Sequence, residues 1–179
     1  LGDTALGTCT TGANNTAVGK SALAASTTAS NNTAVGYLTL SALTTGTANV
    51  AVGAYAMDAH TTGAYNTAVG NNALGANTTG ENNTAIGYQA LTDNTTASGN
   101  VAVGYGALQL NTTGDKNTAV GAYTLDSVTT GANNTGVGYG VLTNSTAANN
   151  TAVGKWAMNS NTTGTENCAF GVNALQVNT

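Results

Sequence analysis

Proline and arginine do not occur in this chain, and only 6% of its 179 residues are charged. Three Lys face seven carboxylates, a net charge of −4, so there is no basic patch for phosphates and the composition argues against a nucleic-acid partner. Blocks of like charge, the usual mark of charged disorder, are also missing. Phe occurs once and Met twice, which removes the material for a thick core and leaves one that must be thin and built from small side chains. No run of about eighteen apolar residues exists, so membrane insertion by a spanning helix is not expected. The first residue, Leu1, falls inside a repeat, as expected for a processed product or a fragment.

What the chain has is repetition. Asn15-Thr16-Ala17-Val18-Gly19 recurs in close copies to the end. Phased on the hydrophobic residue before the shared Gly, units start at Leu1, Val18, Val35, Val52, Val69, Ile86, Val103, Val120, Val137, Val153 and Phe170. The period is 17 residues, slips once to 16 in the unit starting at Val137, and leaves a partial eleventh unit. Such units are single structural elements stacked in one dimension.

Numbering each unit from its first residue gives columns that show which positions are constrained. Column 2 is always Gly, column 6 is Leu or Met, and column 10 is always Thr, from Thr10 to Thr179. Column 11 is Thr except at Ala147, and column 12 is Gly or Ala. Column 15 is Asn: Asn15, Asn32, Asn49, Asn66, Asn83, Asn100, Asn117, Asn134, Asn150 and Asn167. Column 16 is Thr, Val or Cys. Column 17 is Ala17, Ala34, Ala51, Ala68, Ala85, Ala102, Ala119, Gly136, Ala152 and Ala169. Columns 3, 4, 7, 8, 13 and 14 vary freely and are assigned to solvent.

Gly, Asn and Thr dominate each unit and no apolar stripe at helical spacing survives, so a helix is excluded. In Thr16-Ala17-Val18, a strand puts Thr and Val on one side and Ala on the other. Each unit then reads as one coil: a strand on Asn-Thr-Ala-Val, a bend at Gly, a short strand on Ala-Leu and a Thr-rich return through turn residues. The predicted fold is all-β: a parallel β-solenoid of about ten 17-residue coils forming a single repeat domain, residues 1–179. With coils about 4.8 Å apart, it makes a rod on the order of 50 Å long. The Asn column is expected to bond amide to amide along the axis.

If Thr and Val line the coil, the Ala column faces outward and has no reason to stay small. Its constancy then implies packing against another chain, making the nine Ala an oligomer interface. The alternative is a very narrow coil with Ala inside and Val outside. Aromatics collect just after the Gly bend, at Tyr37, Tyr55, Tyr88, Tyr105, Tyr123, Tyr139 and Trp156. They form either an edge that stacks on sugars or a cover over the Leu spine.

The unit Asn83-Thr84-Ala85-Ile86-Gly87 is similar to the Asn-Ser-Val-Ala-Ile-Gly pattern in the head repeats of YadA-type trimeric autotransporter adhesins. Gly87-Tyr88-Gln89-Ala90-Leu91, and Asn111-Thr112-Thr113-Gly114 with Asn117-Thr118-Ala119-Val120-Gly121, resemble repeat tracts of bacterial surface proteins and phage-like tail fibres. The resemblance covers the whole chain. It implies a parallel β-roll, left-handed, in which three chains associate in an extracellular stalk or adhesive head. The period here is longer than in the YadA head.

Chemistry-bearing residues are sparse. His60, the single His, is read as a surface residue of a variable column beside Asp58, with no nucleophile to serve. The carboxylates scatter over several columns without a calcium-binding repeat. Gly104-Tyr105-Gly106 and Gly138-Tyr139-Gly140 lack the third Gly of a dinucleotide loop. Cys9 and Cys168 lie nine coils apart, roughly 40 Å, beyond reach of a disulfide. Glycosylation sequons recur at Asn14, Asn31, Asn77, Asn82, Asn94, Asn111, Asn133, Asn144, Asn149 and Asn161. No catalytic, cofactor-binding or metal-ligating residue is assigned.

The expected function is a structural or adhesive module of an extracellular fibre or filament at the cell surface. It associates with itself as a homotrimer or head to tail through the Ala face. Two alternatives remain: an ice-binding solenoid using the column 10 Thr ladder, and a rod that binds cell-surface glycans along the Tyr/Trp edge.

Overall fold

The computed structural model describes residues 2–178 and is a parallel β-solenoid without helices. Ten three-residue strands recur once per coil: β1 (Thr16–Val18), β2 (Thr33–Val35), β3 (Val50–Val52), β4 (Thr67–Val69), β5 (Thr84–Ile86), β6 (Val101–Val103), β7 (Thr118–Val120), β8 (Thr135–Val137), β9 (Thr151–Val153) and β11 (Cys168–Phe170). They form one parallel sheet in chain order, with identical columns in register, as in Thr67↔Thr84, Ala68↔Ala85 and Val69↔Ile86. A minor pair, β10 (Ser160–Asn161) and β12 (Val177–Asn178), closes the last coils.

The predicted short strand on Ala-Leu does not form. A tight turn runs from column 2 to column 5 instead, with Ala22 N–H donating to Gly19 O at 3.3 Å. A second turn follows from column 6, with Ser26 N–H donating to Leu23 O at 3.3 Å. The first turn needs a positive φ at column 4, which even bulky residues adopt: Leu38 at 55°, Tyr55 at 59°, Trp156 at 58°. Column 6 is also left-handed, with Leu23 at 52° and Met57 at 51°. That conformation costs a non-glycine residue about 1–2 kcal/mol, which full burial of the Leu or Met side chain offsets with about 1.5–3 kcal/mol. Column 2 has no such latitude. Gly36 has φ 141°, and a Cβ there would lie 2.5 Å from the Gly53 carbonyl oxygen of the next coil.

The strand sides are the reverse of the first expectation. From Ala34 to Ala152 the column 17 Ala are fully buried, and Ala17 and Ala169 nearly so, while Thr and Val of the same strands are exposed or half-exposed. The coil is narrow. Its interior holds the column 17 Ala, a second Ala column including Ala22, Ala56, Ala73, Ala90, Ala107 and Ala157, and the Leu/Met spine. Ala17, Ala34, Ala51, Ala68, Ala85, Ala102, Ala119, Ala152 and Ala169 are therefore core residues held small by their own chain, and not an oligomer interface. Gly136 illustrates how tight this is: a Cβ there would meet Thr124 Cγ2 at 2.7 Å and Leu125 Cδ1 at 3.0 Å. Thr124 and Val141 occupy a column that is Ala in most coils, so the sheet gives up a methyl group where the opposite wall gains bulk in two successive coils.

The 16-residue coil is accommodated without disturbing the sheet, where Thr135↔Thr151 and Val137↔Val153 stay paired. Asn134 Nδ2 donates to Ala147 O at 2.9 Å, the bond that Asn117 makes to Gly131 O at 2.7 Å one coil earlier. Ala147 thus stands in column 12, and the omitted residue is the exposed Thr of column 11.

Candidate interaction surfaces

The Asn column forms the corner before each strand and is buried through most of its length. Its constant contact is more specific than amide on amide. The Oδ1 of each Asn accepts the backbone N–H of the next, as in Asn49 N–H to Asn32 Oδ1 at 2.9 Å and Asn83 N–H to Asn66 Oδ1 at 2.9 Å. Nδ2 donates to the column 12 carbonyl of the following coil, as in Asn66 to Gly80 O at 2.9 Å. Direct amide-to-amide bonds also occur, such as Asn49 Nδ2 to Asn32 Oδ1 at 3.1 Å. Each Asn therefore satisfies a backbone donor and a backbone acceptor that the turn leaves open inside the coil. Asn100, whose Nδ2 is buried without a partner, and Asn167, whose Nδ2 bonds only to Asn150 Oδ1, are the exceptions.

A second polar ladder, in column 9, escaped the sequence reading. His60 is fully buried inside the coil and does not lie on the surface. Its Nε2 lies 3.0 Å from Gly63 O and its Nδ1 3.0 Å from Asn77 Nδ2. Asn94 Nδ2 donates to Asn77 Oδ1 and Asn111 Nδ2 to Asn94 Oδ1, both at 3.1 Å. Val128 fills the column in the next coil. Desolvation pushes the His60 imidazole below its usual range, partly opposed by its bonds to Gly63 and Asn77. The signal was available: Asn77, Asn94, Asn111 and Asn161 each precede Thr-Thr-Gly or Thr-Thr-Ala. These four Asn are buried, so their sequons are sealed inside the fold, whereas Asn14, Asn31, Asn82, Asn133, Asn144 and Asn149 are exposed. Asp58 and Asp126 are raised above the ordinary carboxylate range by partial burial.

The column 10 Thr are half-buried along most of the rod and bonded. Thr61 Oγ1 donates to Thr78 O at 2.9 Å, Thr78 to Thr95 O at 3.0 Å and Thr95 to Thr112 O at 3.1 Å. Their hydroxyls are used along the axis, so this ladder is not an open array for ice. The open array lies on the sheet. Column 16 (Thr16, Thr33, Val50, Thr67, Thr84, Val101, Thr118, Thr135, Thr151, Cys168) and column 1 (Val18 to Phe170) project outward in two parallel ranks without a charged residue. Val18 is 45% exposed and Ile86 40%. The seven Thr hydroxyls of column 16 bond to no protein atom, unlike those of column 10.

The aromatic residues lie on the exterior, not over the spine. They form two rows, Tyr37–Tyr55 and Tyr88–Tyr105–Tyr123–Tyr139–Trp156, interrupted at Asn71 and Asn72. Ring geometry follows the column. Tyr88 and Tyr105 both occupy column 3 and stack, 5.3 Å apart at 19°. Every pair that alternates between columns 3 and 4 is edge-to-face, from 63° for Tyr139–Trp156 to 88° for Tyr37–Tyr55. Lys155 Nζ lies 4.2 Å from the Trp156 ring centroid. The adjacent Tyr105 side chain raises the Tyr123 hydroxyl above the usual phenol range.

Cys9 is half-buried and Cys168 exposed, both as free thiols. Among the described residues there is no pocket, no cluster of three or more His, Cys, Asp or Glu placed to hold a metal ion, and no helix long and apolar enough to cross a membrane. In comparisons with known proteins, the chain matches no family, no curated protein and no solved structure.

Proposed function

We propose that this chain is a structural rod of an extracellular fibre, associating laterally with copies of itself through the outward Thr/Val face of the sheet. The observation that carries this reading is the uncharged double rank of column 16 and column 1 side chains running across ten strands. Ten strands about 4.8 Å apart and about 10 Å wide make a flat face on the order of 400 Å². That is the size at which a continuous apolar patch marks a contact site, and roughly half of one side of a standard interface of about 800 Å² per partner. A second copy presents the same flat ranks. The resemblance to adhesin head repeats supports the extracellular setting and the homo-oligomer.

The test is sedimentation together with electron microscopy. The native chain is expected to form a defined oligomer or fibre, and Val69→Lys with Val120→Lys to yield monomers. A native chain that stays monomeric at all concentrations, or variants that associate unchanged, overturns the reading. The free hydroxyls of column 16 favour a second occupant of the same face, ordered water at an ice surface. A thermal-hysteresis gap in the native chain that is lost in Thr84→Lys supports it, and a native chain without a gap removes it.

A further inference from the structure

The row from Tyr88 to Tyr139 has no place in the fold's core or in the proposed interface, yet it sets reactive rings against one another. Tyr105 and Tyr123 have centroids 5.0 Å apart, Tyr123 and Tyr139 5.9 Å, and Tyr88 and Tyr105 5.3 Å. All four rings are 38–47% exposed. They are carried on turns whose backbone the strand register and buried spine hold in place, so each ring keeps its neighbour at contact distance.

We propose that this row is a site of oxidative tyrosine cross-linking, in which a haem peroxidase using hydrogen peroxide joins phenols of consecutive coils. Each phenol gives up one electron and one proton, forming a phenoxyl radical with spin density on the carbons beside the hydroxyl. Two neighbouring radicals combine in one carbon–carbon bond between those positions. The hydrogen on each joined carbon leaves as a proton while one returns to each oxygen, restoring both phenols. In sum two aromatic C–H bonds break and one C–C bond forms, and the two electrons and two protons reduce hydrogen peroxide to two waters. Holding both radicals in one molecule makes the step unimolecular, the largest advantage that positioning alone confers. The product is a covalent staple along the axis between coils that are otherwise joined by the continuing backbone, hydrogen bonds and packing.

Tyr65 is the internal control, 63% exposed and outside the row. Dilute protein is treated with a haem peroxidase and hydrogen peroxide, dityrosine is read by fluorescence, and the links are mapped by mass spectrometry of peptides. The expected product is the monomer lacking two hydrogens per link, joined within the row at Tyr88–Tyr105, Tyr105–Tyr123 and Tyr123–Tyr139 and also at Tyr37–Tyr55, with a yield independent of protein concentration. Tyr123→Phe leaves two of the four Tyr–Tyr contacts, so the yield is expected to fall about twofold. The unfolding profile of that variant checks that the rod is intact. The proposal is overturned by the absence of dityrosine, by links that form only between molecules or through Tyr65, or by an unchanged yield in Tyr123→Phe. The Val69→Lys and Val120→Lys variant is expected to cross-link as well as the native chain, which separates this site from the lateral interface.

Discussion

Column 10 and column 16 carry the same residue six positions apart in the same coils, and their threonines do opposite things. Thr78 in column 10 donates its hydroxyl to Thr95 O at 3.0 Å, whereas Thr84 in column 16 projects its hydroxyl from the sheet face without a protein partner. Column 10 is Thr in every unit, while column 16 accepts Val50, Val101 and Cys168. The column 10 hydroxyls complete the next coil, whereas column 16 needs only a side chain that is β-branched or small.

The sharpest break of this inside–outside contrast is expected at the Asn corner. Asn83→Ala strands the buried Asn100 N–H, which Asn83 Oδ1 accepts at 2.9 Å, and removes the 2.8 Å bond to Ala97 O, leaving that carbonyl only Asn94 Nδ2 at 3.0 Å. Urea unfolding should show a loss of about 2–4 kcal/mol, from about 1–3 kcal/mol for the unpaired N–H and about 0.5–1.5 kcal/mol for the lost bond to Ala97 O. Gly136→Ala comes next, because the added methyl meets Thr124 and Leu125. Overpacking of about 1–3 kcal/mol is expected, and Gly136→Ala combined with Thr124→Ala should recover most of it. The two Thr columns are then compared directly. Thr78→Val is expected to lose about 1 kcal/mol, and Thr84→Val to stay within about 0.5 kcal/mol of the native chain.

His60→Asn is expected to have the smallest effect at neutral pH, since Asn extends the ladder already formed by Asn77, Asn94 and Asn111. Its effect appears in acid. Burial lowers the folded-state imidazole below the unfolded value of 6.5, so below that pH the unfolded chain binds the extra proton first. The native protein therefore loses stability as pH falls from 6.5 toward the folded value, and the variant should lack this loss in melts recorded from pH 7 to pH 5. Asp58 and Asp126 act in the opposite sense. Their raised folded values favour the protonated state, so their contribution is present below 3.8 and lost as pH rises through the folded values.

The period, the parallel stacking and the constrained columns were legible in the sequence, because a solenoid repeats its backbone environment and identical sites select identical residues. The inside and outside of the strand were not. Thr-Ala-Val alternates correctly in either orientation, and the assumption that larger apolar residues point inward reversed the sheet. His60 is misplaced by sequence for a related reason: column 9 varies among Cys, Ser, Leu, His, Asn and Val, and the buried corner accepts them with the His and Asn polar atoms bonded and the Ser26 hydroxyl left without a partner. The aromatic edge was located by sequence, but its stacked and edge-to-face arrangement depends on the distance between successive coils.

By itself, the sequence determined a one-dimensional stack of 17-residue coils, since the spacing of Gly, Leu, Thr, Asn and Ala admits no other regular period. Only the tertiary structure decided how wide the coil is. Left-handed residues at columns 4 and 6 fold each unit so tightly that the interior at column 17 has room for Ala and not for Val. That width turned the Ala column into core, the Thr/Val ranks into surface, and the tyrosines into two exposed rows.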